Sequence, residues 1–517
     1  LDKPVKLRLN RKDDMASSGK RHDFEVKYSV GFNKKGKIKG LDITLLSNAG
    51  NVCDLSAPVM SRALTHLDNC YSFKDFTARG YICKTNTVSN TAFRGFGGPQ
   101  GMLAIETILE RVSRFLGIDL DALRHENYYS PKNGIKTPYG QIVKNPKIEK
   151  IINEMETFAG LEKRKLLVER FNTSQINKNQ PYRKGIAFMP AKFGISFNKV
   201  SLNQAGALVH VYTDGSVRLN HGGTEMGQGL FTKVAQVVSE CFNIPLDYVH
   251  IAGTNTDEVP NTSATAASSG SDINGMAAWK AATVIKQRML KHASKVFKKP
   301  PSSIEFKNGL ILSGNKSMTF KELAFSCWEN RISLSSTGFY KTPKISWDQE
   351  KFKGSPYFYF TWGAAVSEAI IDIDTGESRI LRADIIQDCG SSLNPLIDRG
   401  QIEGGFIQGI GWLTCEELYF NPEGKLLTLG PSTYKIPGSR DVPPEFNIKL
   451  LENNPNEEKT IFRSKAVGEP PLLLSISHFL ALKNAISMAS ETSNADLLNA
   501  PATPSKILAA VYNDHSM

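Results

Sequence analysis

Ala207-Leu-Val-His-Val-Tyr212, Thr213-Asp-Gly-Ser216 and Val217-Arg-Leu219 lead into Gly222-Gly-Thr-Glu-Met-Gly-Gln-Gly229. The Asp-Gly pair between two strand-like runs is a tight-turn signal, so this stretch predicts an antiparallel hairpin. Val234, Val237, Val238 and Cys241 then recur at helical spacing and predict an inward face. Hairpin, glycine-rich loop and amphipathic helix thus follow one another within 35 residues or so.

The same grammar extends outward. Phe24, Val26, Tyr28, Val30 and Phe32 alternate with polar or small residues, Asn33-Lys-Lys-Gly36 turns, and Ile38 to Leu46 returns. A third hairpin turns at Asp374-Thr-Gly376. Ile105, Ile108, Leu109, Val112, Phe115 and Leu116 predict one apolar helix face, with Gly117 as its stop and Asp119 capping the next helix. Long helices are expected near 272–296, 397–415 and 471–490, and a strand at the N-terminus. Residues 145–185 read as a surface helix and linker, with a boundary near Asn177–Arg183. Strands and helices mix without regular βαβ alternation. The fold class is therefore α+β, with multi-layer mixed sheets and helices.

Composition narrows the function. The chain has 517 residues, of which 40% are apolar and 22% charged, an ordinary globular balance. No run of about 18 uncharged apolar residues occurs, which argues against a membrane-spanning helix. The net charge of +12 is dispersed and gives little support to a nucleic-acid groove. Seven cysteines without a CxxC, and nine histidines without HxxxH or HxH spacing, disfavour a disulfide framework and a His-based metal site.

Four glycine-, serine- or proline-rich segments precede helix patterns. They are Phe93-Arg-Gly-Phe-Gly-Gly-Pro-Gln100, Gly222–Gly229, Asn261-Thr-Ser-Ala-Thr-Ala-Ala-Ser-Ser-Gly270 and Ala466-Val-Gly-Glu-Pro-Pro-Leu-Leu-Leu474. Alone, the first two read as structural turns, the third as a flexible linker and the fourth as a Glu complementing the dipole of the next helix. Free N–H groups at helix starts also favour anions. The third feeds a helix with Ser271 or Asp272 as its expected cap. In the fourth, two prolines hold Glu469 rigidly in apolar surroundings, which suits a general base. Together the four suggest a large polar cofactor gripped by several backbone loops.

Beyond composition, Thr91–Gln100, Lys192-Phe-Gly-Ile-Ser-Phe197, Gly222–Gly229, Pro431-Ser-Thr-Tyr-Lys-Ile-Pro437 and Ser464-Lys-Ala-Val-Gly-Glu-Pro-Pro471 occur in a characteristic order. The set closely resembles the molybdenum-cofactor domains of the xanthine dehydrogenase/oxidase family. That resemblance implies a first molybdopterin-binding domain over 1–145, truncated at its start. A helical linker over 146–182, a second such domain over 183–500 and a tail over 501–517 follow. It implies a molybdopterin cofactor whose metal carries oxo, sulfido and hydroxide ligands, with Glu469 as the base. It implies Arg62 stabilising charge on a purine, and Phe96 and Phe197 holding the flat ring. Asn198 falls where the family usually has a substrate-contacting Thr. The backbone amides of Arg94 and Ala267 match positions near the metal ligands. Gln228, Ala267, Ser268, Gln401 and Gly468 match positions around the pterin, while Gly270 lacks a hydroxyl common there.

The resemblance implies oxidation of hypoxanthine and xanthine to urate, in a cytoplasmic homodimer, with a peroxisomal location as the alternative. FAD and 2Fe-2S clusters, and an NAD or oxygen acceptor, belong to upstream domains this sequence lacks. The chain is therefore expected to be a fragment, inactive alone. An aldehyde oxidase on the same scaffold and a cofactor-less structural partner are the rival readings. Arg62 discriminates between the two enzymes, because aldehyde enzymes usually place a neutral residue there.

Overall fold

The computed structural model describes residues 2–259 and 262–514, which leaves Asn261 of the third glycine-rich segment outside the described residues. Strands Phe24–Phe32 and Ile38–Gly50 pair antiparallel, and Asp75–Lys84 adds in parallel to the second. A central four-stranded sheet runs in the order Glu445–Leu450, Ser378–Gln387, Tyr359–Asp372, Tyr182–Ile195. A third sheet runs Ser335–Lys341, Gln204–Val211, Val217–His221, Val249–Ile251. Small two- and three-stranded sheets complete a mixed α+β architecture.

The central sheet separates two cores, and the strand period of two explains how. Ile186 and Phe188 point to one core with the first sheet and the helix Gly98–Leu116. Ala187, Met189, Ala191, Phe193 and Ile195 point to the other, against helices Pro395–Thr414, Ile476–Ser487 and Pro504–Tyr512. Phe406 is fully buried in that second core, and Phe406→Ala would cost about 3–5 kcal/mol. A third core joins the third sheet to helices Leu230–Phe242 and Gly270–Phe297.

All three hairpins form where their turns predict them. Four local expectations change. No described strand forms at the N-terminus: Val5, Leu7 and Leu9 are exposed, and a helix starts at Arg11 behind the Asn10 cap. Phe115 is 80% exposed. Ten residues beyond Ile105 it lies about 80° around the helix, off the apolar stripe. The surface helix of 145–185 is two helices, Ile148–Ala159 and Leu161–Asn177, broken at left-handed Gly160, and both bury side chains in the first core. The helix expected over 471–490 splits into Pro470–Leu473 and Ile476–Ser487. There Ser475 and Ser477 hydroxyls donate to the Leu472 and Leu474 carbonyls, competing locally with the helix ladder.

Candidate active site

Arg62 sits on the helix Ser56–Leu64, which lies against the helix Gly98–Leu116. The closeness depends on glycine. A Cβ at Gly97 would lie 2.1 Å from the Val59 carbonyl oxygen, and one at Gly101 would lie 2.4 Å from that of Ala63. Gly97 also takes a φ of +93°, as the turn requires. The loop Phe93–Gly98 is thereby pressed against the Arg62 helix.

The Arg62 guanidinium is buried. Nη1 donates to the Ser196 carbonyl (2.9 Å) and Nη2 to the Gly194 carbonyl (2.6 Å). Its carbon lies 4.6 Å from the Phe193 ring centre and 5.4 Å from that of Tyr357. Ser196 holds a φ of +141°, a strain of about 1–3 kcal/mol, while presenting that carbonyl. Behind it, burial and the charges of Arg62 and Lys192 push the His66 pKa well below its ordinary value, so His66 is a neutral prop. Among the described residues Arg62 Nε has no partner, and Arg62 has one carboxylate neighbour, Glu469, at 3.8 Å.

Glu469 immediately precedes the helix Pro470–Leu473, and its side chain is 13% exposed. The Ser268 hydroxyl donates to Glu469 Oε2 (2.7 Å) and accepts from the Glu469 N–H (3.0 Å). Ser268 and its neighbour Ala267 both have left-handed backbones, with φ of +56° and +57°. Arg94 clamps the same region. Its Nε donates to the Gly468 carbonyl (2.6 Å), Nη1 to Gln408 Oε1 (3.3 Å) and Nη2 to the Gln401 carbonyl (3.1 Å). Burial lowers the Arg94 pKa, against the pull of the Glu469 charge. The N–H groups of Arg94 and Ala267 have no hydrogen-bond partner among the described residues.

The other expected residues divide. Phe96, with φ of +52°, and Phe197 are half-buried. Asn203 fixes the Phe197 backbone by bonding both its N–H and its carbonyl. Asn198 Nδ2 donates to Ser61 Oγ (3.3 Å), and Oδ1 is buried without a partner. Gln401 contributes its carbonyl to Arg94, and Gly468 likewise. Gln228 is folded onto its own loop: Oε1 accepts from the Met226 N–H, and Nε2 donates to the Thr224 carbonyl. The helix start there is already capped by Glu225, which accepts from the N–H groups of Gly227, Gly229 and Phe231. Partial burial pushes the Glu225 carboxyl up, and these N–H groups outweigh it, holding it below the ordinary range.

Asp272 is not a cap. The helix Gly270–Phe297 begins behind Ser269, and Asp272 is buried, accepting from the Tyr359 hydroxyl at 2.7 Å. Burial pushes its carboxyl up to about 7, against Tyr359 and the charge of Lys233. Sequence reasoning also missed Arg21. Its guanidinium lies 4.4 Å from the Phe93 ring and 5.3 Å from that of Trp412, with Nη1 and Nη2 unpartnered. Burial brings its pKa down to about 10, while Glu416, Tyr434 and Glu469 pull it up. Nothing in the local sequence marks these pairings, because each joins residues far apart in the chain.

One family model for molybdopterin cofactor-binding domains matches residues 155–443, and a second matches residues 1–128. The chain belongs to the molybdopterin cofactor-binding domain family. Over 98% of its length it is similar to xanthine dehydrogenase/oxidase of Gallus gallus at 47% identity, and to xanthine dehydrogenase of Dictyostelium discoideum at 44%. It spans 36% of the length of each. Its fold is similar to that of reconstituted CO dehydrogenase from Oligotropha carboxidovorans, with a TM-score of 0.84 and 20% identity. That match covers 97% of this chain and 63% of the other.

The site fits a molybdopterin cofactor. The unpartnered N–H groups of Arg94 and Ala267 are donors without acceptors. Buried Arg62 Nε is a third. Arg62 and Arg94 flank one carboxylate, and the Arg21 charge reaches it, so the surroundings favour an anionic, oxygen-rich group.

Proposed function

We propose that this chain is the molybdenum-cofactor part of an oxidoreductase that converts hypoxanthine and xanthine to urate. The observation that carries the reading is the pairing of a confined carboxylate, Glu469, with a buried guanidinium, Arg62, whose Nε still lacks an acceptor. The N–H groups of Arg94 and Ala267 would hold the cofactor near its metal. Ser268, Gln401 and Gly468 would lie around it, and Gln228 would join them with its side chain turned out of its own loop. When bound, the molybdenum cofactor supplies the water-derived oxygen and accepts the electron pair.

The chain's residues perform the rest. Glu469 Oε2 is committed to Ser268 and faces Arg62, which leaves Oε1 to take up the proton. A positioned base of this kind contributes about 10²–10⁴-fold. Arg62 is a fixed cation, and Nε is its open donor for negative charge developing on the purine ring. Phe96 and Phe197 would sandwich the ring, and Asn198 Oδ1 offers an acceptor at its edge. The reading includes two domains, 1–145 and 183–500, joined by 146–182 and followed by the tail 501–517. It also includes a homodimer in the cytoplasm. No described helix is long and apolar enough to cross a membrane.

The test is urate formation from xanthine by the cofactor-loaded protein that carries this chain, with an aromatic aldehyde in parallel. Strong urate formation with weak aldehyde turnover supports the reading. Aldehyde turnover without urate replaces it with an aldehyde oxidase.

A further inference from the structure

Tyr359 occupies the central sheet opposite Ile195, beside the Ser196 carbonyl that holds Arg62. Its hydroxyl donates to Asp272 Oδ2 at 2.7 Å, and its oxygen accepts from the Ala466 N–H at 2.9 Å. All three residues are buried. With Asp272 ionised, the hydroxyl proton goes to the carboxylate while the oxygen takes the Ala466 N–H. Asp272 lies in the first turn of the helix behind Ala267 and Ser268, and Ala466 lies three residues before Glu469.

We propose that Asp272 and Tyr359 are positioning residues for Glu469, fixing the loop that carries the carboxylate against the loop that would hold the cofactor. The proposal rests on Glu469 acting as the base. It extends that reading to two buried residues that make no hydrogen bond to Glu469 themselves.

The geometry separates this role from simple anchoring. The base loop is already tied upstream, where Lys465 Nζ donates to Asp388 Oδ2 (2.6 Å) and the Lys465 N–H to the Cys389 carbonyl (2.8 Å). Downstream it is tied by Arg94 at Gly468 and by Ser268 at Glu469. Among the described residues, the Tyr359 bond is the one hydrogen bond between them. It therefore sets the angle at which the peptide 466–468 delivers Glu469. Asp272 stands near a second buried pair, Lys233 with Asp398, whose positive end draws its carboxylate.

Tyr359→Phe keeps the ring and removes the hydroxyl. In the cofactor-loaded protein, kcat is expected to fall between about tenfold and 100-fold, with KM within about twofold and molybdenum content unchanged. Hydrogen exchange at the Ala466 amide is expected to run about fivefold faster. Asp272→Asn keeps an acceptor for Tyr359 and should hold kcat within about threefold, with Ala466 exchange unchanged. Parent-like kcat and exchange in Tyr359→Phe would overturn the proposal. So would a joint fall of kcat, molybdenum content and Tm, which marks a merely structural bond. A loss in Asp272→Asn as large as that in Tyr359→Phe overturns it as well. If Tyr359→Phe does not fold, Asp272→Leu carries the same readouts. Near-normal turnover in Glu469→Ala would instead remove the base assignment and leave the exchange result standing, so the two failures are distinguishable.

Discussion

The arginine–glutamate pairs Arg124–Glu106 and Arg62–Glu469 are built on opposite plans. Arg124 and Glu106 are fully buried, 2.6 Å apart at Nη2 and Oε2, with Nε on the same oxygen at 3.1 Å. Glu106 Oε1 also accepts from Asn69 (2.8 Å) and Tyr71 (2.6 Å), and Arg124 Nη1 donates to the Phe188 carbonyl and to Asp121. Every side-chain nitrogen and carboxylate oxygen of that pair has a partner. Arg62 and Glu469 meet once, at 3.8 Å, with Arg62 Nε orphaned. A saturated pair serves the fold, because its groups could not change partners without leaving a buried charge. An unsaturated pair keeps donors and a lone pair for something that is not part of the chain.

The largest effect expected from this contrast is at Glu469. Glu469→Ala should lower kcat about 10²–10⁴-fold with little change in Tm, and near-normal turnover would remove the distinction between the pairs. Arg124→Met comes next. Taking one partner from a saturated buried pair should cost about 3–5 kcal/mol in denaturant unfolding, and a loss below about 1 kcal/mol would show that the pair is not structural. Arg62→Met should lower xanthine turnover about 10²–10³-fold and aldehyde turnover less, whereas equal losses would count against the purine reading. Ser268→Ala is the smallest. Loss of its two hydrogen bonds to Glu469, about 1 kcal/mol each, should reduce kcat about tenfold and leave KM alone. A raised KM would place Ser268 on the substrate.

What could be read from the sequence follows the range of the interactions. Turns at Asn33–Gly36, Asp214–Gly215 and Asp374–Gly376 are local chemistry, and the hairpins form there. The helices beginning at Gly98, Leu230 and Gly270 follow glycine-rich segments with apolar spacing, and they form as well. Phe115 was misread because its apolar character outweighed its angle on the helix. Asp272 was misread because a carboxylate near a helix start looks like a cap until a buried tyrosine is brought to it. In the site, Arg62 and Glu469 could be named from motifs, but their 3.8 Å separation could not. The clamp by the Arg94 side chain left no trace either, since only its position in the glycine-rich loop was legible and its partners lie beyond residue 400.

That clamp has a kinetic consequence. Arg94 and Gly468 are separated by 374 positions, and Ser268 and Glu469 by 201. Contacts of such separation carry the highest loop-closure entropy and form late. The third core, from Ala205 to Tyr340, can collapse on shorter-range contacts than the site requires. During refolding, fluorescence from Trp279, packed against that core, should therefore recover before the site can capture any ligand, and the interval between the two is the time the chain needs to bring Arg94 and Gly468 together.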